Sequence, residues 1–529
     1  MQAIGTNSRV VADIPLTGLE SSAAKHYTDA GNAEEAGTHR LVPLFVWLAV
    51  ILTLVFIPLK VISYGYLPPD DALRHAGKAV SGRDWSDILV VQDQFKMDHN
   101  PGWHSLLALV HKTTGMDADG LVVASVAGLL LLFSFFPLAW IRRPEAWIAS
   151  LLAGTVIFPL LIHRMFLGRP FELTIAGTMG ILLLWRDRKT YTPALLAGTT
   201  FIFAMSAWLH GSWYLSVLIM AAFGLAGHWQ SSFRLAGCWV AGSFLGGLAT
   251  GQPLAFLWNA VSIGINCFGQ HQLNRMLVTE FSPSNGDFPA LLFAALLIIF
   301  RVVAGSWTWN TVKNPAFMLA VLGWILGLSV VRFWTDWGLP ALTLWAALEL
   351  QDHLNRVLNA ASVRRLGISL ALCAAFYFSV TADTGGRWTR FLTVEHLTES
   401  DPEMDAWLPE DGGTFYCADM GLFYRTFFKN PHAKWKYILG FESTFMPPED
   451  LRIYRNIQWN FYAHKAYQPW VEKMRPEDRL VISAGSSSAP AIPALEWKYV
   501  ARETWIGRVP RKEQASVGEL PVAAPAPTL

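Results

Sequence analysis

Two adjacent carboxylates, Asp70 and Asp71, open the stretch "DDALRHAGKAV", soon after an apolar run from Leu41 to Ile62 whose only charge is Lys60. Ionisable groups that close to a bilayer are costly and mark functional positions by default. A carboxylate within hydrogen-bond reach of a hydroxyl can act as a general base, and a carboxylate pair can also bind a divalent metal. A plainer duty competes with both. Pro68-Pro69 stops the preceding helix, so Asp70 stands where an N-cap belongs, and a second acid suits the helix dipole.

Other residues with chemical potential fall between apolar runs. Arg74 and His75 follow the acid pair. In "FKMDHNPGWHSLLALVHKTTG", 95–115, His99 and His104 flank a Pro-Gly step, and an amphipathic helix too short to span follows. Histidines near carboxylates can ligate a divalent metal, although such pairs are more often structural. "HRMFLGRPFELT", 163–174, carries His163, Arg164 and Arg169. Arginine grips phosphate bidentately; snorkelling to headgroups is the competing explanation. His210 sits between tryptophans in "WLHGSWY", where the rings can stack on a sugar or simply anchor at the interface. In "VRFWTDWG", Arg332 and Asp336 lie one helical turn apart; they pair with each other, or Arg332 contacts phosphate. Glu280 and Asp287 could supply a further acid, and a solvated loop explains them equally well.

These groups must be positioned by a membrane scaffold. Of 529 residues, 53% are hydrophobic and 15% charged, against about a quarter charged in soluble domains. Mean hydropathy is +0.32. Lys and Arg total 41 and Asp and Glu 40, a balance that argues against nucleic acid as a partner. Cys238, Cys267, Cys373 and Cys417 show no disulfide or zinc spacing. The 24 tryptophans suit membrane interfaces.

Apolar stretches predict roughly eleven spans, given about 20 residues per crossing. They lie near 41–62, 119–141, 145–163, 171–185, 193–209, 212–227, 235–259, 288–305, 315–331, 338–350 and 366–381. The basic loops "IRRPEA", "RDRKTY", "HWQSSFR", "NTVKN" and "QDHLNRVLNAASVRR" place their side in the cytoplasm. The N-terminus is then cytoplasmic, and the acids, histidines and arginines gather on the opposite face. Residues 1–40 lack a signal-peptide core and are expected to be a disordered cytoplasmic tail. The membrane domain covers 41–382, with a first extracytoplasmic loop at 63–118. Residues 383–515 are expected to form a small extracytoplasmic α/β domain. Its strands are read in "GTFYCAD", "KYILGF" and "DRLVISAG", and one helix over 448–474. The Pro/Ala-rich 516–529 is expected to be disordered.

The order of these parts resembles the GT-C class of polytopic glycosyltransferases. The likeness rests on "PDDALRHAGKAVSG" after the first span, "HNPGW" before an apolar helix, and "RMFLGRPFEL" between later spans. It implies a mainly α fold, a polyprenyl-phosphate sugar as donor, and a glycan, lipid or protein acceptor at the bilayer surface. It implies inverting transfer, with Asp70 or Asp71 as the base. The other basic residues named above (Arg74, His75, His99, His104, His163, Arg164, Arg169, His210 and Arg332) would bind substrate. A divalent metal, Mg or Mn, stays open, although no second acidic motif accompanies the first. The compact loops and the family likeness point to a bacterial inner membrane. The competing assignment is a transporter or flippase for a lipid-linked or anionic substrate. Such proteins place polar groups mid-span, whereas here they cluster at one face.

Overall fold

The computed structural model describes residues 23–188, 190–269, 279–392, 397–483, 488–501 and 504–510. It is mainly helical, with a small mixed sheet near the C-terminus. The helices Leu41–Ser63, Ala118–Ala139 and Val363–Thr381 are long and apolar enough to cross a membrane, and two bent pairs raise the number to five. Five shorter apolar helices accompany them, among them Phe171–Trp185 and Pro193–Leu209. The protein is a multi-pass membrane protein.

The differences from expectation have local causes. The first helix runs from Ala23 to Ser63, so its described part includes 23–40, where a disordered tail was expected. Extending an existing helix is far easier than nucleating one, and this stretch is rich in Ala. Two expected spans are bent. Helix Pro144–Ile157 meets Pro159–Met165 at 108°, where Pro159 cannot donate a helical hydrogen bond. Within the expected 235–259 span, Trp229–Leu248 meets Pro253–Ile265 at 110°. Gly251, at φ 75°, takes a left-handed conformation just before Pro253.

Helix Trp229–Leu248 packs on Pro193–Leu209 through Gly242 and Gly246, one turn apart. A Cβ would fall 2.5 Å from the Thr200 carbonyl oxygen at Gly242, and 2.4 Å from that of Ala204 at Gly246. Small residues in this register let membrane helices approach closely. Gly246→Leu is expected to lower stability by about 1–3 kcal/mol, the usual scale of overpacking, and to lower the melting temperature in detergent.

The C-terminal sheet has strands β1 (Thr414–Cys417), β2 (Lys436–Tyr437), β3 (Arg479–Ser483), β4 (Glu496–Ala501) and β5 (Thr504–Arg508), in the order β2-β1-β3-β5-β4. β1 runs parallel to β2 and β3, while β5 is antiparallel to β3 and β4. The hairpin β4–β5 was not anticipated. The expected helix over 448–474 is instead Pro448–Trp459, a turn, a short 3-10 segment His464–Tyr467 and Gln468–Lys473. Phe461 and Tyr462 take positive φ in the turn, and Pro469 starts the last piece. The 516–529 tail lies outside the described residues.

This sheet and the 63–118 segment are joined. Leu89 bridges in parallel to Tyr437 at the β2 edge. The Val90 N–H donates to the Tyr437 carbonyl at 3.0 Å, and Gln92 N–H to that of Phe445 at 3.0 Å. Helix Met420–Lys429 lies against helix Asp71–Ser81, where Gly77 leaves room for the Phe427 ring. The acid pair is thus clamped between the membrane helices and the sheet.

Candidate active site

Helix Asp71–Ser81 begins at Asp70, whose extended backbone and side chain accepting from Asp71 N–H at 2.6 Å make it the N-cap. Gly82 ends the helix at φ 62°, its N–H donating to Lys78. Capping does not exhaust Asp70. Both its carboxylate oxygens accept from Arg169 Nη2, at 2.6 Å each. Arg169 follows Gly168, whose φ of 66° turns the chain beside Val126.

A chain of alternating charge extends from there. Arg169 Nη1 donates to Glu280 at 2.9 Å. Glu280 also pairs with Arg164, which donates to Asp336 at 2.5 Å. Asp336 accepts from Arg332 Nε at 3.0 Å, and Arg332 Nη1 is 3.8 Å from Glu280. At the other end, Arg74 Nε donates to Asp71 Oδ1 at 2.7 Å, leaving Oδ2 3.7 Å from Arg169 Nε. Four carboxylates and four guanidiniums balance, which makes so dense a buried cluster affordable.

Burial pushes the Asp71 carboxyl up, but Arg74 and Arg169 outweigh it and hold it well below the usual carboxylate range. Burial likewise opposes ionisation of Glu280, and Arg169, Arg164 and Arg332 overcome it. Burial drives the imidazoles down, His99 to about 4 and His210 to about 3. Both are neutral at physiological pH.

A cavity of about 430 Å³ opens on this cluster. Of the residues singled out from sequence, Asp70, Asp71, Arg74, His99, Arg169, His210 and Arg332 line it, as does Glu280. Arg164 stands behind Glu280. His75, His104 and His163 do not reach the wall. His75 and His104 belong to a buried chain instead. Asp98 accepts from His104 Nδ1 at 2.6 Å, which leaves His104 Nε2 to accept from His75 Nδ1 at 2.8 Å. That chain ties helix Asp71–Ser81 to helix Pro101–Thr114 and fixes where Asp71 stands.

The far wall comes from the C-terminal region: Tyr424, Phe441, Glu442 and Phe445. Arg74 stacks on the Phe441 ring, 4.1 Å from its centroid. Sequence reasoning missed these residues because the strand signal at 436–441 says nothing of what lies across from it. Burial first, with Asp71 and Glu280 adding, raises the Glu442 carboxyl to about 7 against Arg332 and Arg74. Between its ordinary 4.5 and about 7 the folded state keeps a proton that the unfolded state releases. Stability therefore falls as pH rises through that window, by up to about 3 kcal/mol at 1.36 kcal/mol per pH unit. Glu442→Gln is expected to flatten this slope in melting curves taken from pH 4.5 to 8.

The carboxylates do not compose a cation site. Each acid of the cluster faces a guanidinium, and among the described residues no group of three or more His, Cys, Asp or Glu side chains is placed to hold a metal ion. What the cluster lacks is acceptors. Arg74 Nη1, Arg169 Nε and His99 Nε2 are buried without a hydrogen-bond partner among the described residues. Buried polar groups are rarely left so, and all three side chains line the cavity; the two arginine nitrogens are donors, while the neutral imidazole donates or accepts with its tautomer. The arrangement can receive an oxyanion beside an ionised carboxylate.

No protein-family model matches the chain, and no curated protein matches it. Among solved structures it is similar to the oligosaccharyltransferase of Archaeoglobus fulgidus in the apo form, at 11% identity over 82% of this chain and 69% of that one, TM-score 0.48. The same archaeal enzyme, AglB, in complex with an inhibitory peptide and a dolichol-phosphate gives 13% identity over the same shares, TM-score 0.46. The arabinofuranosyltransferase AftD from Mycobacteria gives 15% identity over 88% of this chain and 40% of that one, TM-score 0.49. Overlaps of this size show likeness and no more.

Proposed function

We propose that the protein is a membrane glycosyltransferase of the GT-C class, moving a sugar from a polyprenyl-phosphate donor to an acceptor hydroxyl at the extracytoplasmic surface. The observation that carries this reading is the pairing, in one cavity, of an ionised carboxylate with buried guanidinium N–H groups that have no acceptor among the described residues. The first serves the nucleophile and the second the departing phosphate. The membrane domain, 41–382, carries the chemistry; 383–515 covers it from outside the cell inner membrane, with the N-terminus cytoplasmic.

In this mechanism the acceptor oxygen attacks the anomeric carbon as the bond from that carbon to the phosphate oxygen breaks. The bonding pair leaves with the polyprenyl phosphate, and the configuration inverts. The hydroxyl proton passes to Asp71. Asp71 suits the task better than Asp70, because Asp70 has both oxygens on Arg169 and also caps its helix. Asp71 accepts from Arg74 Nε through Oδ1, and its Oδ2 lies 3.7 Å from Arg169 Nε, beyond hydrogen-bond distance. Arg74 Nη1 and Arg169 Nε meet the growing charge on the phosphate, fixed donors aimed where charge develops. Arg332, at 29% side-chain exposure the most accessible arginine of the cluster, receives the phosphate first.

The test is direct. Purified protein in detergent is given radiolabelled polyprenyl-phosphate pentoses and hexoses with a crude envelope extract. Donor-dependent labelling of an acceptor, with release of polyprenyl phosphate, is the expected outcome. If no donor of either kind is consumed, the reading fails and a transporter for the same lipid becomes the better account.

A further inference from the structure

A second crevice lies in the C-terminal sheet, at the carboxyl ends of β1 and β3. β1 is the central parallel strand, with β2 on one side and β3 on the other. The connection leaving β1 leads to one side of the sheet and the return to β3 leads to the other. The strand ends part at such a switch point, and ligands of open α/β sheets settle there. The crevice measures about 280 Å³, close to the small end of ligand pockets. It suits a single sugar ring.

Its walls are aromatic and polar. Tyr462 presents its ring at the rim, Tyr454 and Tyr467 back the crevice from the core, and Asp419, Gln458 and Ser483 complete the lining, with the Gln458 amide donating to the Ala418 carbonyl at 3.4 Å. Tyr454 and Tyr467 are buried, while Tyr462 is 45% exposed at the rim. Tyr462 and its neighbour Phe461 hold φ of 59° and 49°, conformations unfavourable for aromatic residues that the fold sustains here. Asp419 accepts from Gly421 N–H at 2.8 Å and lies 3.6 Å from Arg425. Among the described residues no Lys or Arg side chain lines the crevice. An anion would meet the Asp419 carboxylate with no such cation on the wall. A neutral polyol finds the Tyr462 ring face for its C–H groups and polar atoms for its hydroxyls.

The two sites are neighbours. Met420 lines both the crevice and the acid–arginine cavity. Tyr424, one turn further along the same helix, lines the cavity.

We propose that this crevice binds one ring of a neutral oligosaccharide, the portion of a glycan acceptor that extends past Met420 away from the reacting hydroxyl. The word acceptor rests on the transferase reading; the binding does not. It narrows the acceptor from glycan, lipid or protein to a glycan of more than one unit.

The experiment applies fluorescently labelled full-length protein in detergent to an array of neutral pentose and hexose oligosaccharides, with uronic-acid and sulfated glycans beside them. Wild type is expected to bind neutral glycans. Tyr462→Ala is expected to weaken that binding about tenfold, the equivalent of one well-placed aromatic contact. Tyr462→Phe keeps the ring and should bind as wild type. Gln458→Leu preserves shape and should also weaken binding, which guards against a folding defect in the alanine variant; melting curves check both. Binding confined to acidic glycans, binding indifferent to Tyr462→Ala, or no neutral glycan bound at all overturns the proposal. Neutral binding that depends on Tyr462 in a protein that transfers no sugar would keep the crevice and discard the transferase. Transfer without such binding would do the reverse.

Discussion

Asp71→Asn is expected to slow sugar transfer by about 10²–10⁴-fold, the usual contribution of a positioned general base, in a protein that still folds and binds donor. Asparagine can still offer an oxygen to Arg74 Nε, which Asp71 holds at 2.7 Å, so the local hydrogen bond survives. What disappears is the negative charge that draws the acceptor proton. The loss also leaves Arg74 and Arg169 with excess positive charge facing the cavity. Donor KM should therefore hold or fall while kcat collapses, a split that marks a group acting in the chemical step. Asp70→Asn is the comparison. It keeps the cap but weakens the grip on Arg169, so its main effect should fall on donor KM. Initial rates over a donor series distinguish the two. If Asp70→Asn costs more kcat than Asp71→Asn, the roles of the two acids are exchanged.

The largest structural effect belongs to Arg169→Gln. This guanidinium joins Asp70, Glu280 and, more distantly, Asp71. Removing one partner of a buried ion pair typically costs about 3–5 kcal/mol, because the other charge stays buried alone. Here two carboxylates lose a close cation. The melting temperature should drop sharply, and transfer should fall below detection as the phosphate loses Arg169 Nε. Arg169→Lys should recover only part of this, since one ammonium cannot span Asp70 and Glu280 as the planar fork does. Asp70→Asn added to Arg169→Gln should regain stability but not activity. Full additivity of the two losses would show that the residues do not form the pair described.

Much of the membrane scaffold was readable from sequence because a span leaves a long compositional trace. Helices or bent helix pairs lie at the expected apolar stretches from 41–62 to 366–381, although among the described residues only three, or five with the bent pairs, are long and apolar enough to cross where roughly eleven spans were expected. The bends were less readable: Pro159 and Gly251-Gln252-Pro253 are short signals inside long apolar ones. Asp70, Asp71, Arg74, Arg169 and Arg332 were legible as costly charges beside apolar runs. Their mutual pairing was not, because Asp70 and Arg169 sit far apart in the chain and spacing reports only neighbours. Glu280 shows the limit best. In sequence it is one acid in a polar loop; in space three arginines surround it. The pairing of His75 with His104, and of His104 with Asp98, was illegible for the same reason, since a histidine facing another histidine looks no different in sequence from one facing solvent. The wall built by Phe441, Glu442 and Phe445 left no trace a single chain could show.

The seam at the β2 edge bears on how this molecule is made. Gln92 donates to Thr444 and Met446 carbonyls, and Val90 to that of Tyr437, partners that leave the ribosome hundreds of residues later. Contacts so distant in sequence form late, after the entropy of closing the intervening loop has been overcome. By then the membrane helices have been inserted, and the acid pair has waited beside them with its outer wall missing. Maturation of the cavity is thus coupled to synthesis of its outer wall: a nascent protein that stops before residue 420 has the acids and the arginines but lacks Met420, Tyr424, Phe441, Glu442 and Phe445. The segment that closes the chamber is one that reaches the acids only after the helices beside them are in place.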